Sequence, residues 1–303
     1  MKRFLKYICC FALLFALGSV PAQAERVIKH ELGTLTLTGT PSRIVVLEYS
    51  FVDALAAIGV SPFGVADDQD PERLLPQVRS LIKPWTSVGM RSQPNLEVIA
   101  RLKPDLIIAD AYRHKVSYRE LSKIAPTLLL KSRGESYQES LQSASVIGRA
   151  LNKEKEMNAR IARHKAFMQG YRHKFDGKDI TVQFANVNDR GMWFHGPRSY
   201  TGSLLEFLGL HSAVPELKSS HLMEVNLEVL LKTNPDWLFY GRTKPVTVLE
   251  SWQNSPLFNL LKISQPDQAV TVSHKLWSLN RGMLAAEGIA RELDTYLNRN
   301  IKS

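Results

Sequence analysis

The sequence predicts an α/β protein of two similar lobes joined by one long helix, with a ligand cleft between the lobes. Three observations carry this reading. Residues 95–109 read NLEVIARLKPDLIIA and residues 226–240 read NLEVLLKTNPDWLFY, so one pattern is written twice, 131 residues apart. Each copy follows a strand–loop–helix–glycine unit, and between the halves lies the longest helix-forming stretch of the chain. Solenoid units run about 20 to 50 residues, so this spacing marks duplicated lobes and not a solenoid.

The chain opens with Lys2, Arg3 and Lys6, a short apolar run from Tyr7 to about Gly18, and Ala22-Gln23-Ala24. This predicts a cleaved export leader over residues 1–24. Its apolar run is too short for a hydrocarbon core of about 30 Å, and no later stretch reaches the roughly 20 apolar residues of a membrane helix. Both cysteines, Cys9 and Cys10, fall in the leader, so no disulfide is expected in the remainder. A chain of 303 residues is long enough to bury full cores without disulfides. An exported, cysteine-free protein fits the Gram-negative periplasm. Without the three leader cations, 36 of the 39 Lys and Arg stand against 29 acidic residues, a surplus of seven that suggests an anionic partner. The cations are scattered and not interleaved with aromatics, which argues against nucleic acid.

In the first lobe, residues 25–152, Ile44–Leu47 reads as a buried strand and Phe51–Ile58 as a helix closed by Gly59. Asn95 then caps a helix of about eight residues, Pro104-Asp105 turns, and Leu106–Ala109 is a strand. Gly148 and Asn152 interrupt the helical stretch that follows, leaving residues 153–175 as one linker helix. At 1.5 Å per residue it is about 33 Å long. The second lobe, residues 176–303, repeats the order: strands at Gln183-Phe184 and Trp193-Phe194, a helix over TGSLLEF stopped by Gly209, a second Asn cap at Asn226, and a strand at Trp237–Tyr240.

Two facing lobes make a cleft, the usual place for a small ligand. Enzyme signals are sparse: there is no G-x-S-x-G elbow, no phosphate loop and, after processing, no cysteine nucleophile. The cluster ADDQDPE (66–72) lacks the glycine and the terminal glutamate of a calcium loop and reads as the cap of a helix beginning near Pro71. A different-class alternative is an envelope metallo-hydrolase built from His114, His195 and His274 with Asp67–Asp70.

The stretches RIVVLEYSFVDALAAIGVSPFGVADDQD, VGMRSQPNLEVIARLKPDLIIAD and IAPTLLLKSR, together with the repeat, resemble class III periplasmic receptors of ABC importers. Members of that class bind ferric siderophores, haem or cobalamin, and these stretches are most similar to its ferric-dicitrate branch. The resemblance implies a monomeric binding protein, not an enzyme. Its ligand would be iron(III) citrate, its partners an inner-membrane permease and the attached ATPase, and it would carry no resident cofactor. Citrate oxygens suit a hard ferric ion, so no protein group need touch iron. The alternatives are another ferric siderophore, haem or cobalamin.

On residues alone, Glu97 and Glu228 sit at the second position of each capped helix, where a carboxylate meets the helix dipole for about 0.3 to 1 kcal/mol. The resemblance implies that they dock onto arginines of the transmembrane subunits. An anionic chelate calls for guanidinium forks. The resemblance places Arg91 where the family reaches its chelate. Arg113 follows the strand near Asp110, Arg133 follows LLLKS, Arg242 follows LFYG, and Arg281 lies in KLWSLNRGM; Arg198 is a further candidate. Each reads equally as a solvated surface arginine. Tyr200 and Trp277 are expected either against the chelate's apolar edges or within the lobes. Tyr112 and Ser132 either donate hydrogen bonds to it or pack.

Overall fold

A computed structural model describes residues 25–214 and 222–299. The predicted leader, with Cys9 and Cys10, lies outside them. A hairpin, β1 (Arg26–His30) with β2 (Gly33–Leu37), precedes the first lobe. That lobe is a parallel sheet of β3 (Ile44–Val46), β4 (Gly64–Val65), β5 (Thr86–Ser87), β6 (Leu106–Asp110) and β7 (Thr127–Leu130), in the order β5-β4-β3-β6-β7. The second sheet holds β8 (Val182–Val187), β9 (Met192–His195), β10 (Leu222–Val225), β11 (Trp237–Arg242) and β12 (Ala269–Val272), in the order β10-β9-β8-β11-β12. Its β8, β11 and β12 are parallel, while β9 and β10 run antiparallel.

The strands β3, β6 and β7 are mostly apolar and buried because both faces of the sheet are covered there, whereas the edge strand Thr86–Ser87 is polar and exposed. Ile44, Val46, Leu106, Ile108, Leu128 and Leu130 point into one core, and the intervening Val45, Leu47, Ile107, Ala109 and Leu129 into another. The first of these cores does not stop at the lobe boundary. It continues through the helix Tyr137–Ala150 to Phe184, Phe239 and Trp277 of the second lobe. The other face of the second sheet packs Ala185, Val187, Phe194 and Leu238 into a separate cluster.

A 22-residue helix, Glu154–Phe175, joins the lobes. The last helix, Met283–Arg299, runs back beside it, tied by Lys174–Asp294 and Arg160–Glu287 ion pairs, both 2.7 Å. It also meets the first lobe: the buried carboxylate of Asp53, in the helix Tyr49–Ala56, accepts the Leu284 and Ala285 N–H groups at 3.1 Å each. The lobes are therefore braced by two long helices and a shared core, not by a single rod.

Local chemistry explains small departures from expectation. The helix read as Phe51–Ile58 begins at Tyr49, because the Glu48 side chain accepts the Tyr49 N–H at 3.0 Å. In ADDQDPE the expected cap is Asp70, which accepts from Glu72 N–H and opens a 3₁₀ turn at Pro71–Arg73. Asn95 and Asn226 both cap as expected, accepting from Val98 and Val229.

Candidate ligand-binding cleft

In parallel sheets ligands gather outside the carboxyl ends of the strands, where the strand order reverses. Here the reversal lies between β3 and β6. Every strand of the first sheet delivers a charged group to that end: Glu48 after β3, Asp68 after β4, Arg91 after β5, Asp110 and Arg113 at β6, and Arg133 and Glu135 after β7. Across a cleft of about 510 Å³ stand Asn186, His195, His274 and Ser278 of the second lobe, with Arg281 reaching over from the segment before the last helix. An adjoining basin of about 680 Å³ shares Tyr112 and Arg133 with the cleft and adds Lys115, Lys131 and Arg198. Both lobes contribute polar groups to the interlobe cleft, whereas the basin mixes the exposed cations Lys115, Lys131, Arg133 and Arg198 with Glu31 and Glu139.

Glu48 organises the first-lobe wall. It is completely buried, accepts from Arg91 Nη1 at 2.6 Å and Arg113 Nε at 2.9 Å, and lies 3.6 Å from Arg281 Nη2. Burial alone would raise its pKa, but the charges of Arg281, Arg91 and Arg113 outweigh burial and bring it to about 2. Asp68 accepts from Arg91 Nε and Nη2 at 3.0 and 2.9 Å and pairs with Arg73. Burial opposes the charge of Asp68 too, yet its bonds with Arg91 hold it below the usual carboxylate range. These anions push the Arg91 pKa up despite the arginine's own burial. The Arg91 guanidinium also lies over the Tyr49 ring at 3.9 Å. His114 fixes the Arg91 backbone: its Nδ1 accepts the Asp110 N–H, so Nε2 carries the proton and donates to the Arg91 carbonyl at 2.8 Å.

The opposite wall is neutral. His274 Nδ1–H donates to Asn186 Oδ1 at 3.1 Å, and Asn186 Nδ2 donates to His195 Nε2 and to Ser278 Oγ, both at 3.0 Å. Burial, followed by the charges of His274 and Arg281, lowers the His195 pKa to about 3; burial and Arg73 lower that of His274 to about 4. One wall thus offers cations and the other neutral hydrogen-bonding groups.

The structure brings Arg91, Arg113, Arg133 and Arg281 to the cleft, with Tyr112 and Tyr200. They are not equivalent. Arg91 has three of its guanidinium nitrogens engaged with Glu48 and Asp68, leaving few N–H groups for a ligand. Arg113 engages Glu48 through Nε, leaving both terminal nitrogens without a hydrogen bond among the described residues. Arg133 is exposed, 5.0 Å from the Tyr112 ring, and Tyr112 is 71% exposed. Tyr200 is buried at the cleft wall, its O–H donating to the Gly282 carbonyl at 2.5 Å. Ser132 is buried behind Arg281, accepting from its Nη2 at 3.0 Å and sharing a 2.7 Å bond with Ser50. Arg198 lies at the basin.

Two expectations are corrected. Arg242 turns away from the cleft: it donates to the Pro245 carbonyl and pairs with Glu250 at 2.9 Å, because the helix Val248–Gln253 sets that carboxylate beside the end of β11. Trp277 is wholly buried, stacked on Phe239 with its Nε1–H donating to Glu292 at 2.6 Å, and belongs to the shared core. The histidines do not converge as a triad. His195 and His274 meet through Asn186 while His114 lies in the other lobe under Arg91, and no group of three metal-ligating side chains is found among the described residues.

Residues 44–263 match the sequence profile of the periplasmic binding protein family. The chain belongs to that family. It is 43% identical over 293 residues to the Fe(3+) dicitrate-binding periplasmic protein FecB of Escherichia coli, covering 96% of this chain and 95% of that protein. It is 39% identical to the Fe(3+)-citrate-binding protein YfmC of Bacillus subtilis, covering 91% and 87%. Among solved structures, SirA of Staphylococcus aureus complexed with staphyloferrin B superposes with a TM-score of 0.79 at 24% identity, over 90% of this chain and 98% of that one. That likeness bears on the fold alone.

Reading the sequence alone misses Glu48, Glu135 and Asn186, and it offers Asp68, His195 and His274 only as possible metal ligands, not as a partner of Arg91 or as a neutral wall joined by Asn186. A signal exists for Glu48, since RIVVLEYS ends a buried strand on a charge. Asp68 is hidden inside an acidic cluster whose capping role belongs to Asp70.

Proposed function

We propose that the chain is the periplasmic binding component of an ABC importer that captures an anionic ferric citrate chelate and delivers it to the inner-membrane permease. The carrying observation is the gathering of Arg91, Arg113, Arg133 and Arg281 around one cleft opposite a neutral, hydrogen-bonding wall. Free carboxylates of a ferric citrate complex are the natural partners of such forks, each charge-assisted bond contributing about 1.5 to 3 kcal/mol. The similarity to two citrate-named relatives supports the same ligand. Iron is cargo in this reading, held by citrate oxygens, and the protein recognises the outside of the complex.

The test is a titration of the processed protein with ferric citrate, citrate alone and a neutral hydroxamate siderophore, followed by tryptophan fluorescence and calorimetry. Saturation by ferric citrate, with the hydroxamate silent, is expected. A response to the hydroxamate alone overturns the anionic-ligand assignment while leaving the family assignment untouched.

A further inference from the structure

The turn Ser132–Glu135, closed by the Glu135 N–H to the Ser132 carbonyl at 3.1 Å and relaxed by Gly134 at φ +78°, sets Glu135 in the cleft wall with its carboxyl oxygens buried. It is 1% exposed, and among the described residues it is the one carboxyl group with both oxygens buried and without a hydrogen-bond partner. Leaving such a group unsatisfied is costly, and buried polar atoms left open at a cleft are where a ligand group fits. Its nearest cation, Arg281 Nε, stands 3.8 Å away and likewise makes no hydrogen bond. Arg281 is already shared with Ser132 and Glu48.

We propose that Glu135 is a specificity-determining, ligand-contacting group that meets the bound chelate as a carboxylic acid, its O–H donating to one of the chelate's carboxylates as Arg281 swings toward that same anion. The inference rests on the reading of the ligand as an anionic ferric chelate. Its chemistry is the complement of the surrounding arginines: a neutral donor adds a hydrogen bond without adding charge.

The surroundings favour the acid form. Burial is the main influence, Arg281 opposes it, and Asp110, Glu48 and Glu139 add to it, so the pKa stands well above the ordinary carboxylate value. Asp110 faces Glu135 from the end of β6, Glu48 from the end of β3, Glu139 from the following helix, Tyr200 from the helix Tyr200–Phe207 and Arg281 from the segment before the last helix. Ionised, Glu135 would turn from donor to acceptor and repel the ligand.

The experiment compares the unsubstituted protein with Glu135→Gln and Glu135→Ala across the pH range in which all three stay folded. Each is titrated with ferric citrate in identical buffers, so that ligand speciation cancels in the ratios. Infrared spectra of the ligand-free proteins give a second readout. The protonated-carboxyl carbonyl absorption, to which Asp53 also contributes, should be weaker in Glu135→Gln than in the unsubstituted protein. The amide N–H should replace the O–H, so Glu135→Gln is expected to bind well at every pH. The ratio of unsubstituted to Gln-variant Kd should rise roughly tenfold or more as Glu135 ionises, and Glu135→Ala should bind roughly tenfold or more weakly throughout. A ratio that does not change with pH, a Gln variant as weak as the Ala variant, or no difference in the carbonyl band overturns the proposal. Failure of the unsubstituted protein to bind ferric citrate overturns the functional reading and this contact with it, whereas intact binding with a flat ratio overturns the contact alone.

Discussion

Arg91 Nη1 donates to Glu48 Oε1 at 2.6 Å in a site where the carboxylate is wholly buried and the arginine is 5% exposed. The pair places a fixed anion beneath the cations of the cleft, shared by Arg91, Arg113 and Arg281. Without it, three guanidinium groups would face one another at low dielectric.

Glu48→Ala is accordingly expected to lower stability by about 3 to 5 kcal/mol, the usual cost of breaking a buried charge pair. The pH dependence has a definite sign. The folded pKa of about 2 lies below the ordinary value of 4.5, so the stabilisation is fully present above pH 4.5 and is lost as pH falls towards 2. The loss amounts to about 3 kcal/mol. Urea unfolding at a series of pH values checks both, and a Glu48→Gln variant with an unchanged acid limb would remove Glu48 as its source.

Asp53 works in the opposite direction. Burial pushes its pKa up to about 7 from 3.8, against the pull of the Leu284 and Ala285 N–H groups. A raised carboxyl pKa means that the unfolded chain loses this proton first, so the Asp53 contribution declines as pH rises from about 4 to about 7, by at most about 4 kcal/mol. The stability difference between the unsubstituted protein and Asp53→Asn should narrow over that window, as measured by denaturant midpoints. A difference independent of pH would contradict the assignment.

Among the arginines, Arg113→Ala should weaken ferric citrate binding by roughly 10- to 150-fold, because its terminal nitrogens face the cleft unengaged. Arg242→Ala should leave the dissociation constant unchanged, since its partners are Pro245 and Glu250. Calorimetry of the two variants side by side decides the matter, and equal losses would place Arg242 back in the site.

Glu97 and Glu228 are exposed at the first turns of Leu96–Arg101 and Leu227–Thr233, one on each lobe. The docking role that the family resemblance implies requires them to be dispensable for the ligand and essential for delivery. The double variant Glu97→Ala/Glu228→Ala is expected to bind ferric citrate normally and to fail in iron uptake by cells carrying the importer. Normal uptake would leave both residues with only their helix-terminal role.

The duplicated pattern, the two Asn caps and the apolar runs were legible because they are local: capping, turn formation and strand burial depend on residues a few positions apart. The arginines were legible as a class but not as a set. Arg113 lies just past the end of a strand and Arg242 is the last residue of one, yet one meets Glu48, 65 residues earlier, and the other Glu250, eight residues later. Trp277 shows the same limit, since nothing near it in sequence reveals that Phe239 and Glu292 will close over it.

Two α/β lobes, a long helix between them and a supply of cations suited to an anion follow from local periodicity and composition, which act over short distances or as sums. Which cations are held by carboxylates, and which are not, follows from the packing of distant segments. That packing assigned Glu48 and Asp68 to the arginines, braced the lobes through Asp53 and the last helix, and left Glu135 without a hydrogen-bond partner. Those outcomes depend on how separate strand ends meet in a low-dielectric space, where a difference of a few ångströms decides whether a charge is paired, and no local pattern encodes that distance.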